Sequence, residues 1–466
     1  ARRPHPAHGR PGRTSLTQYS RRSQIPVPVT ELFAWHEREG ALERLLPPYA
    51  RYRVVDRHGT IHDGDRVRLR IHVGGVPLDW VAEHRGFVRD EQFVDRLVHG
   101  PVPRWEHTHR FIADGPARSI VEDTIDYEAP FGSIGDYVVR RHLPPMFDFR
   151  HRRTHNDLVR QSPFAVERPL RIAISGAGGL VGSELVPFLT TAGHSIERLV
   201  RRRPGCRDEI AWNPATGEID SARLEGLDAV IHLAGSSFLR PWTRAHKRRM
   251  RDSRIDGTRL LSETLARLRR PPRVFVSASG ANYYGDRGDR VLDESNGPGD
   301  GFLASLCVAW EAATAPAAHA GIRTVNLRNG LVLSGRGGGL PKIAVPFRLG
   351  LGGTLGGEQV VSWIAIDDLV GAIYQTIHDE RLDGPVNTAA PTAVTSRELT
   401  KILGRVLRRP TVLPVPSLAA RALPGGMGRE LLLASVRAVP ARLEAVGFRF
   451  DFPTFEDAVR FQLGRL

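Results

Sequence analysis

A chain of 466 residues is too long for one ordinary domain, and 41 % hydrophobic with 25 % charged residues describes a core-forming protein. The formal charge is +15, yet all but three of the 66 basic residues are arginine (Lys247, Lys342 and Lys401 are the lysines). The arginines are scattered without interleaved aromatics, which argues for coding bias and against a nucleic-acid partner, and no run of about 18 apolar residues offers a membrane span.

In chain order, "ARRPHPAHGRPGRTSLTQYSRRS", residues 1–23, carries too little apolar surface to offset the entropy of ordering and is expected to be a disordered basic tail. It has no apolar h-region, hence no secretory signal, and a start at Ala1 instead of Met leads to the expectation of processing or trimming. Cys206 and Cys307 form neither a disulfide framework nor a metal-ligand spacing, which fits a reducing, cytoplasmic location.

Residues 24–160 read as one unit. "IPVPVTELFAWHEREGALERLLPPY" is a strand, a helix and then prolines. "DRVRLRIHV", "LDWVAEHRGFV", "EQFVDRLVHG", "RWEHTHRFIA" and "SIVEDTIDYEAP" each alternate apolar with polar, as half-buried antiparallel strands do. The helical stretch "YVVRRHLPPMFDFRHRRTHNDLVRQ" closes the unit. Two histidine pairs, His107 with His109 and His151 with His155, stand at strand and helix spacing. Neither has a third ligand nearby in sequence and "HRRTH" is strongly basic, so they are read as solvated or capping residues and no metal site is expected. This order of elements resembles the helix-grip fold of the START/polyketide-cyclase (SRPBCC) superfamily, which implies an apolar cavity and a hydrophobic small-molecule ligand. An interior filled with side chains, serving an interaction module, is the alternative.

"QSPFAVERP", residues 161–169, is read as a linker. Beyond it, apolar strands alternate with helical patterns, as in βαβ units on a doubly wound parallel sheet. "RIAISGAGGLVGSELVPFLTTAG" is a strand, a glycine turn and a helix, with Gly176, Gly179 and Gly182 at G-x-x-G-x-x-G spacing and an extra Gly178. Glycine lets the chain turn tightly and press its backbone against a pyrophosphate at the helix N-terminus. Ser175, Gly176, Gly179, Leu180, Val181 and Gly182 are therefore assigned to a dinucleotide. The next strand, "SIERLVRR", ends in Arg201, Arg202 and Arg203 where an NAD site wants a carboxylate, so NADP is favoured as cofactor. A plain basic surface loop is the other reading of these arginines. "DAVIHLAG" ends in Leu233, Ala234 and Gly235, small enough to line the cofactor edge.

"SGAGGLVG", "VIHLAGSSFLRPWTRAHKRRMRDSRIDGTRLL", "VSASGANYYGDRG", "FLASLCVAWEAA", "LRNGLVLSGRGGGLPKIAVPFRLGLGGTLGGEQVVSWIAIDDL" and "RAVPARLEAVGFRF" follow one another. This succession resembles the atypical "epimerase family" branch of the extended short-chain dehydrogenase/reductases, over about residues 170–460. The resemblance implies an NADP-binding Rossmann domain at 170–411 and a small C-terminal substrate-side lobe at 412–466. An SRPBCC-like domain fused N-terminally also occurs in that branch.

Ordinary members of the superfamily move a proton with a Tyr-x-x-x-Lys pair on one helix face. None of the three lysines lies four residues after a tyrosine. With Glu311 as the acidic residue that follows the pair, the tyrosine and lysine positions become Leu303 and Cys307. The asparagine expected before "x-x-G-T" is Arg254. Ser279, Tyr283 and Tyr284 are left as catalytic candidates. Cys307, among apolar and small neighbours, is read as structural, and Arg328 or Arg348 as holding an anionic substrate or as salt-bridged structure. Two functions stay open: an NADP-dependent oxidoreductase or epimerase-like enzyme acting on a small-molecule substrate, and a non-catalytic NADP(H)-binding sensor or carrier.

Overall fold

The computed structural model describes residues 16–465 apart from 74, 165–167, 355 and 412–416. Residues 1–15 of the expected tail, part of the expected linker, the start of the expected C-terminal lobe and Leu466 lie outside the described residues. Two compact units are present. The first takes the described residues up to Glu37 together with Ala50–Leu158; the second takes Arg38–Tyr49 and continues from Val159.

The first unit is a seven-stranded antiparallel sheet in the order β1-β7-β6-β5-β4-β3-β2. Its strands are β1 (Thr17–Ile25), β2 (Arg53–His58), β3 (Arg66–Val73), β4 (Val76–Val88), β5 (Gln92–His99), β6 (Arg104–Ala113) and β7 (Ser119–Glu128). The helix α1 (Val29–Glu37) and the long helix α3 (Ser133–Gln161) complete it. Period-2 burial is cleanest in β7, where Ser119, Val121, Asp123, Ile125 and Tyr127 all point inward. Leu143 and Phe147 of α3 pack on Ile125 and Tyr127. This is the helix-grip arrangement. Residues 17–23, expected to be disordered, instead form most of β1, paired with β7 from Thr17↔Tyr127 to Ile25↔Ser119. An edge strand needs only its backbone ladder and one anchored face, and Tyr19 supplies that anchor against Phe147 at 5.4 Å.

The second unit carries an eight-stranded sheet, β11-β10-β9-β8-β12-β13-β15-β20. In chain order it uses β8 (Arg171–Ser175), α4 (Gly182–Thr191), β9 (Ser195–Val200), β10 (Glu209–Asn213), β11 (Glu218–Ile219), β12 (Ala229–His232), α5 (Arg244–Ala266) and β13 (Val274–Gly280). The short β14 (Val291–Leu292) and the helix α6 (Phe302–Ala312) precede β15 (Arg323–Asn329). The short strands β16 (Leu331–Ser334), β17 (Gly337–Gly338), β18 (Val360–Val361) and β19 (Trp363–Ala365) lie outside this sheet before β20 (Gly384–Thr388) closes it. All neighbours are parallel except β10 with β11. Strand order reverses between β8 and β12, the switch point where open α/β sheets bind ligands. Ile172, Ile174, Val276, Leu327 and Val370 share one apolar cluster with Leu443 and Phe448, so the C-terminal segment packs into this core.

The short helix α2 (Ala41–Leu45) departs from the 24–160 boundary by belonging to the second unit. Buried Arg44 ties it to Glu184 at 2.9 Å and to Asp367 at 3.5 Å. Arg336 donates to the carbonyls of Glu43 and Leu46. Among the described residues no helix is long and apolar enough to cross a membrane.

Candidate functional site

The turn between β8 and α4 lies at the switch point. Gly176 has φ +74°, and a Cβ there would stand 2.8 Å from the Ala234 nitrogen and from the Leu233 carbonyl carbon. Only glycine fits both the left-handed backbone and that approach. A Cβ on Gly182 would stand 2.4 Å from the Gly176 oxygen. On Gly178 it would meet nothing within 4 Å. The loop is thus packed below and open above. Helix α4 starts without a side-chain cap, leaving amide donors at the turn for an anionic acceptor. Ser175 Oγ lies 2.6 Å from Nδ1 of His232, its partner across the β8–β12 pair. Burial pushes the His232 imidazole down to about 3, with Arg254 adding to the shift, so it stays neutral.

Arg201, Arg202 and Arg203 are all exposed beyond the end of β9. Arg202 is committed to Glu209, gripping both carboxylate oxygens. Neither Arg201 nor Arg203 makes an ion pair among the described residues.

At the other end of the site, β13 delivers Ser279 and a single turn delivers Tyr283 and Tyr284. Ser279 Oγ donates to Glu311 Oε1 at 2.7 Å. Arg328, buried on β15, holds the same carboxylate in a two-pronged grip, Nε to Oε1 and Nη2 to Oε2, both at 2.9 Å. Its Nη1 donates to the Tyr284 hydroxyl at 3.0 Å, and its guanidinium lies 3.5 Å from the Tyr283 ring centroid. Tyr284 is fully buried and its hydroxyl meets the Asp293 carbonyl and Asn387 Oδ1. Burial lifts its phenol above the ordinary value, against the pull of Arg328. Tyr283 is half-buried, and its hydroxyl makes no hydrogen bond among the described residues.

Leu303 and Cys307, at the expected tyrosine and lysine positions, are buried on α6. Burial, reinforced by Glu311, pushes the Cys307 thiol up to about 12 against the pull of Arg254, so no thiolate nucleophile forms. Arg254 itself is buried between Phe238 (4.0 Å) and Trp310 (4.9 Å) and donates to the Ser236 and Met250 carbonyls. It has no carboxylate partner among the described residues, and burial lowers it to about 10.

This geometry has relatives. Residues 172–387 match the model of the NAD dependent epimerase/dehydratase family. Epimerase family protein MT2273 of Mycobacterium tuberculosis (strain CDC 1551 / Oshkosh) is 43 % identical over 296 residues, spanning 63 % of this chain and 98 % of that protein. The chain belongs to the epimerase family. Residues 25–141 match the model of polyketide cyclase / dehydrase and lipid transport proteins, and residues 415–462 a domain of unknown function. Among solved structures, a nucleoside-diphosphate sugar epimerase from Corynebacterium glutamicum is 33 % identical with a TM-score of 0.80, covering 96 % of this chain and 90 % of that one. Human epimerase family protein SDR39U1 (isoform2), solved with NADPH, is 30 % identical with a TM-score of 0.58, covering 64 % of this chain and all of that one.

Within this NAD(P)-binding family, the chain brings Ser175, Gly176, Gly179 and Gly182 to one turn beside Leu233, Ala234 and Gly235. Leu180 leans away from it, against Gly338 of β17, and Val181 stands at the residue just before α4 without capping it. Arg328, which the sequence leaves between substrate anchor and salt bridge, is salt-bridged; Arg348 is exposed. The Arg328–Glu311 pair and the part of Asn387 are new. The sequence marks Glu311 and Arg328 separately but not their contact, and it does not mark Asn387.

Proposed function

We propose that the second unit binds NADP(H) and acts as an oxidoreductase or epimerase-like enzyme on a small molecule, with Tyr283 in place of the missing proton relay. The glycine turn would hold the pyrophosphate on the amides around Gly178, with Leu233, Ala234 and Gly235 along the edge. Arg201, the first residue beyond β9, would meet the 2′-phosphate, Arg202 being already held by Glu209. Bound there, the nicotinamide supplies or accepts a hydride. Tyr283 donates or takes the proton at the substrate oxygen, and Ser279, backed by Glu311 and Arg328, orients that oxygen. Arg254 adds a buried positive charge where the oxygen becomes more negative. The observation that carries this reading is the contrast between neighbours: Tyr284 is fully bonded, whereas the Tyr283 hydroxyl is free.

The burial of Leu303 and Cys307 favours a second reading, an NADP(H)-binding sensor or carrier without turnover. Titration with NADPH and NADH, followed by turnover on carbonyl compounds and nucleotide sugars, separates the two. Arg201→Ala is expected to weaken NADPH by about tenfold to a hundredfold and leave NADH unchanged, one charge-assisted contact being lost. Tyr283→Phe is expected to keep NADPH binding and cut turnover by about 10²–10⁴-fold. Tight binding without turnover across the panel supports the sensor; turnover surviving Tyr283→Phe removes Tyr283 from the mechanism. For the first unit we propose a hydrophobic small-molecule ligand, supported by the match over residues 25–141.

A further inference from the structure

The inward face of the first unit is not uniformly apolar. Strand register sets two polar rows side by side across it. His84, Asp95 and His107 stand opposite one another on β4, β5 and β6, and His109 stands opposite Asp123 on β6 and β7. His151 of α3 reaches in from above. The expectation of solvated histidines therefore fails for His107, His109 and His151, which are all buried; only His155 is exposed.

Asp123 is saturated by three imidazoles. Its Oδ1 lies 2.8 Å from His107 Nε2 and 2.7 Å from His109 Nδ1, and its Oδ2 lies 2.6 Å from His151 Nε2. That leaves the opposite ring nitrogens of His107 and His109, and both face Asp95. His109 Nε2 is 3.3 Å and His107 Nδ1 3.9 Å from the same Asp95 Oδ2. The other oxygen of Asp95 lies 2.9 Å from His84 Nε2. One donor atom from each of Asp95, His107 and His109 lies within 4.8 Å of the others.

We propose that this cluster is a binding site for a divalent first-row transition-metal ion, with Asp95, His107 and His109 as ligands and Asp123 orienting the two imidazoles from behind. An ion about 2.0–2.2 Å from each donor separates neighbouring donors by about 3.0–3.4 Å; the Asp95–His109 pair already stands at 3.3 Å, and the His107 donor would have to close in from 3.9 Å. Each ligating histidine has its second nitrogen on a carboxylate, the arrangement that fixes ring orientation and raises ligand basicity in metal sites. Two imidazoles and one carboxylate suit zinc, iron or cobalt better than calcium or magnesium. Buried charges are kept where they are paired or bind metal, and a dication would offset both carboxylates at once. Three protein donors leave a coordination position for water or for an oxygen of a molecule bound in the interior. Asp95, with 26 % of its side chain exposed, is the side from which an ion arrives.

The test uses the tag-free full chain, stripped with chelator and titrated with Co²⁺ and then Zn²⁺. One Co²⁺ per chain is expected, with visible ligand-field bands that Zn²⁺ abolishes by displacement. Asp95→Asn and His109→Gln should each weaken binding at least tenfold, while the exposed-site control His155→Ala should bind like the parent. Near-ultraviolet circular dichroism and thermal unfolding report whether each variant is folded. If His109→Gln does not fold, the partly exposed Asp95→Asn decides. Failure of the parent to take up either ion at millimolar concentration, or parent-like binding by folded Asp95→Asn, overturns the site.

Discussion

The two ends of the crevice in the second unit have met different constraints. At the glycine turn the requirements fall on the backbone, and a Cβ on Gly176 or Gly182 would collide with main-chain atoms that cannot move aside. At the α6 end they fall on side chains. There Leu303, Cys307 and Arg254 are buried on intact helices at the positions where the family resemblance leads to an expectation of tyrosine, lysine and asparagine. Position 303 is filled by packing, and the polar survivors Ser279, Glu311 and Arg328 bind one another. The turn therefore tolerates substitution poorly, whereas the α6 end holds its shape through side-chain contacts that can be changed one residue at a time.

The sharpest way to break this comparison is Arg328→Met. It leaves the Glu311 carboxylate largely buried without its two-pronged partner, and about 3–5 kcal/mol of stability is expected to go, measured by urea unfolding. A loss below about 1 kcal/mol would mean the α6 end is held by packing alone. Gly182→Val attacks the other end. NADPH affinity should fall at least a hundredfold, about 2.7 kcal/mol, with the melting temperature as control for folding. Retained affinity would show that the turn can rearrange.

How far these ends could be read in advance follows the same division. The glycine spacing, the strand before it and the helix after it are backbone requirements, so they were legible, as were Ser279 and the absence of a Tyr-Lys pair. The Glu311–Arg328 pair joins residues 17 positions apart on different elements, and no local pattern announces it. The same holds for Arg44, whose partners Glu184 and Asp367 are remote in sequence and draw α2 into the second unit. In the first unit the alternation of β5, β6 and β7 was visible, but the rule that polar residues face water reversed its meaning. His107, His109 and Asp123 occupy inward positions because they satisfy one another there.

A smaller effect tests the neutral His232 under the glycine turn. Its folded value of about 3 lies below the unfolded value of about 6.5. Between those limits the unfolded chain binds a proton that the folded chain refuses, so stability falls as pH drops from about 6.5 towards 3. The loss approaches about 1.4 kcal/mol per pH unit for this group. His232→Asn removes that contribution, and its stability should decline less than the parent's between about pH 7.5 and pH 5.5. Parallel profiles would mean that His232 titrates normally and that the turn is open to water from below.

The smallest change discriminates between the two adjacent tyrosines. Tyr284→Phe removes a donor shared by Asn387 Oδ1 and the Asp293 carbonyl, and an acceptor for Arg328. About 1 kcal/mol per hydrogen bond should be lost from stability, with NADPH binding kept and turnover within a few-fold of the parent. Tyr283→Phe removes no hydrogen bond among the described residues, so stability should hold within about 0.5 kcal/mol while turnover collapses. If the pattern is reversed, with Tyr284→Phe silencing turnover at unchanged stability, the hydroxyl under Arg328 is the acid. The buried network around Glu311 would then be the working relay, not the filling of a vacated one.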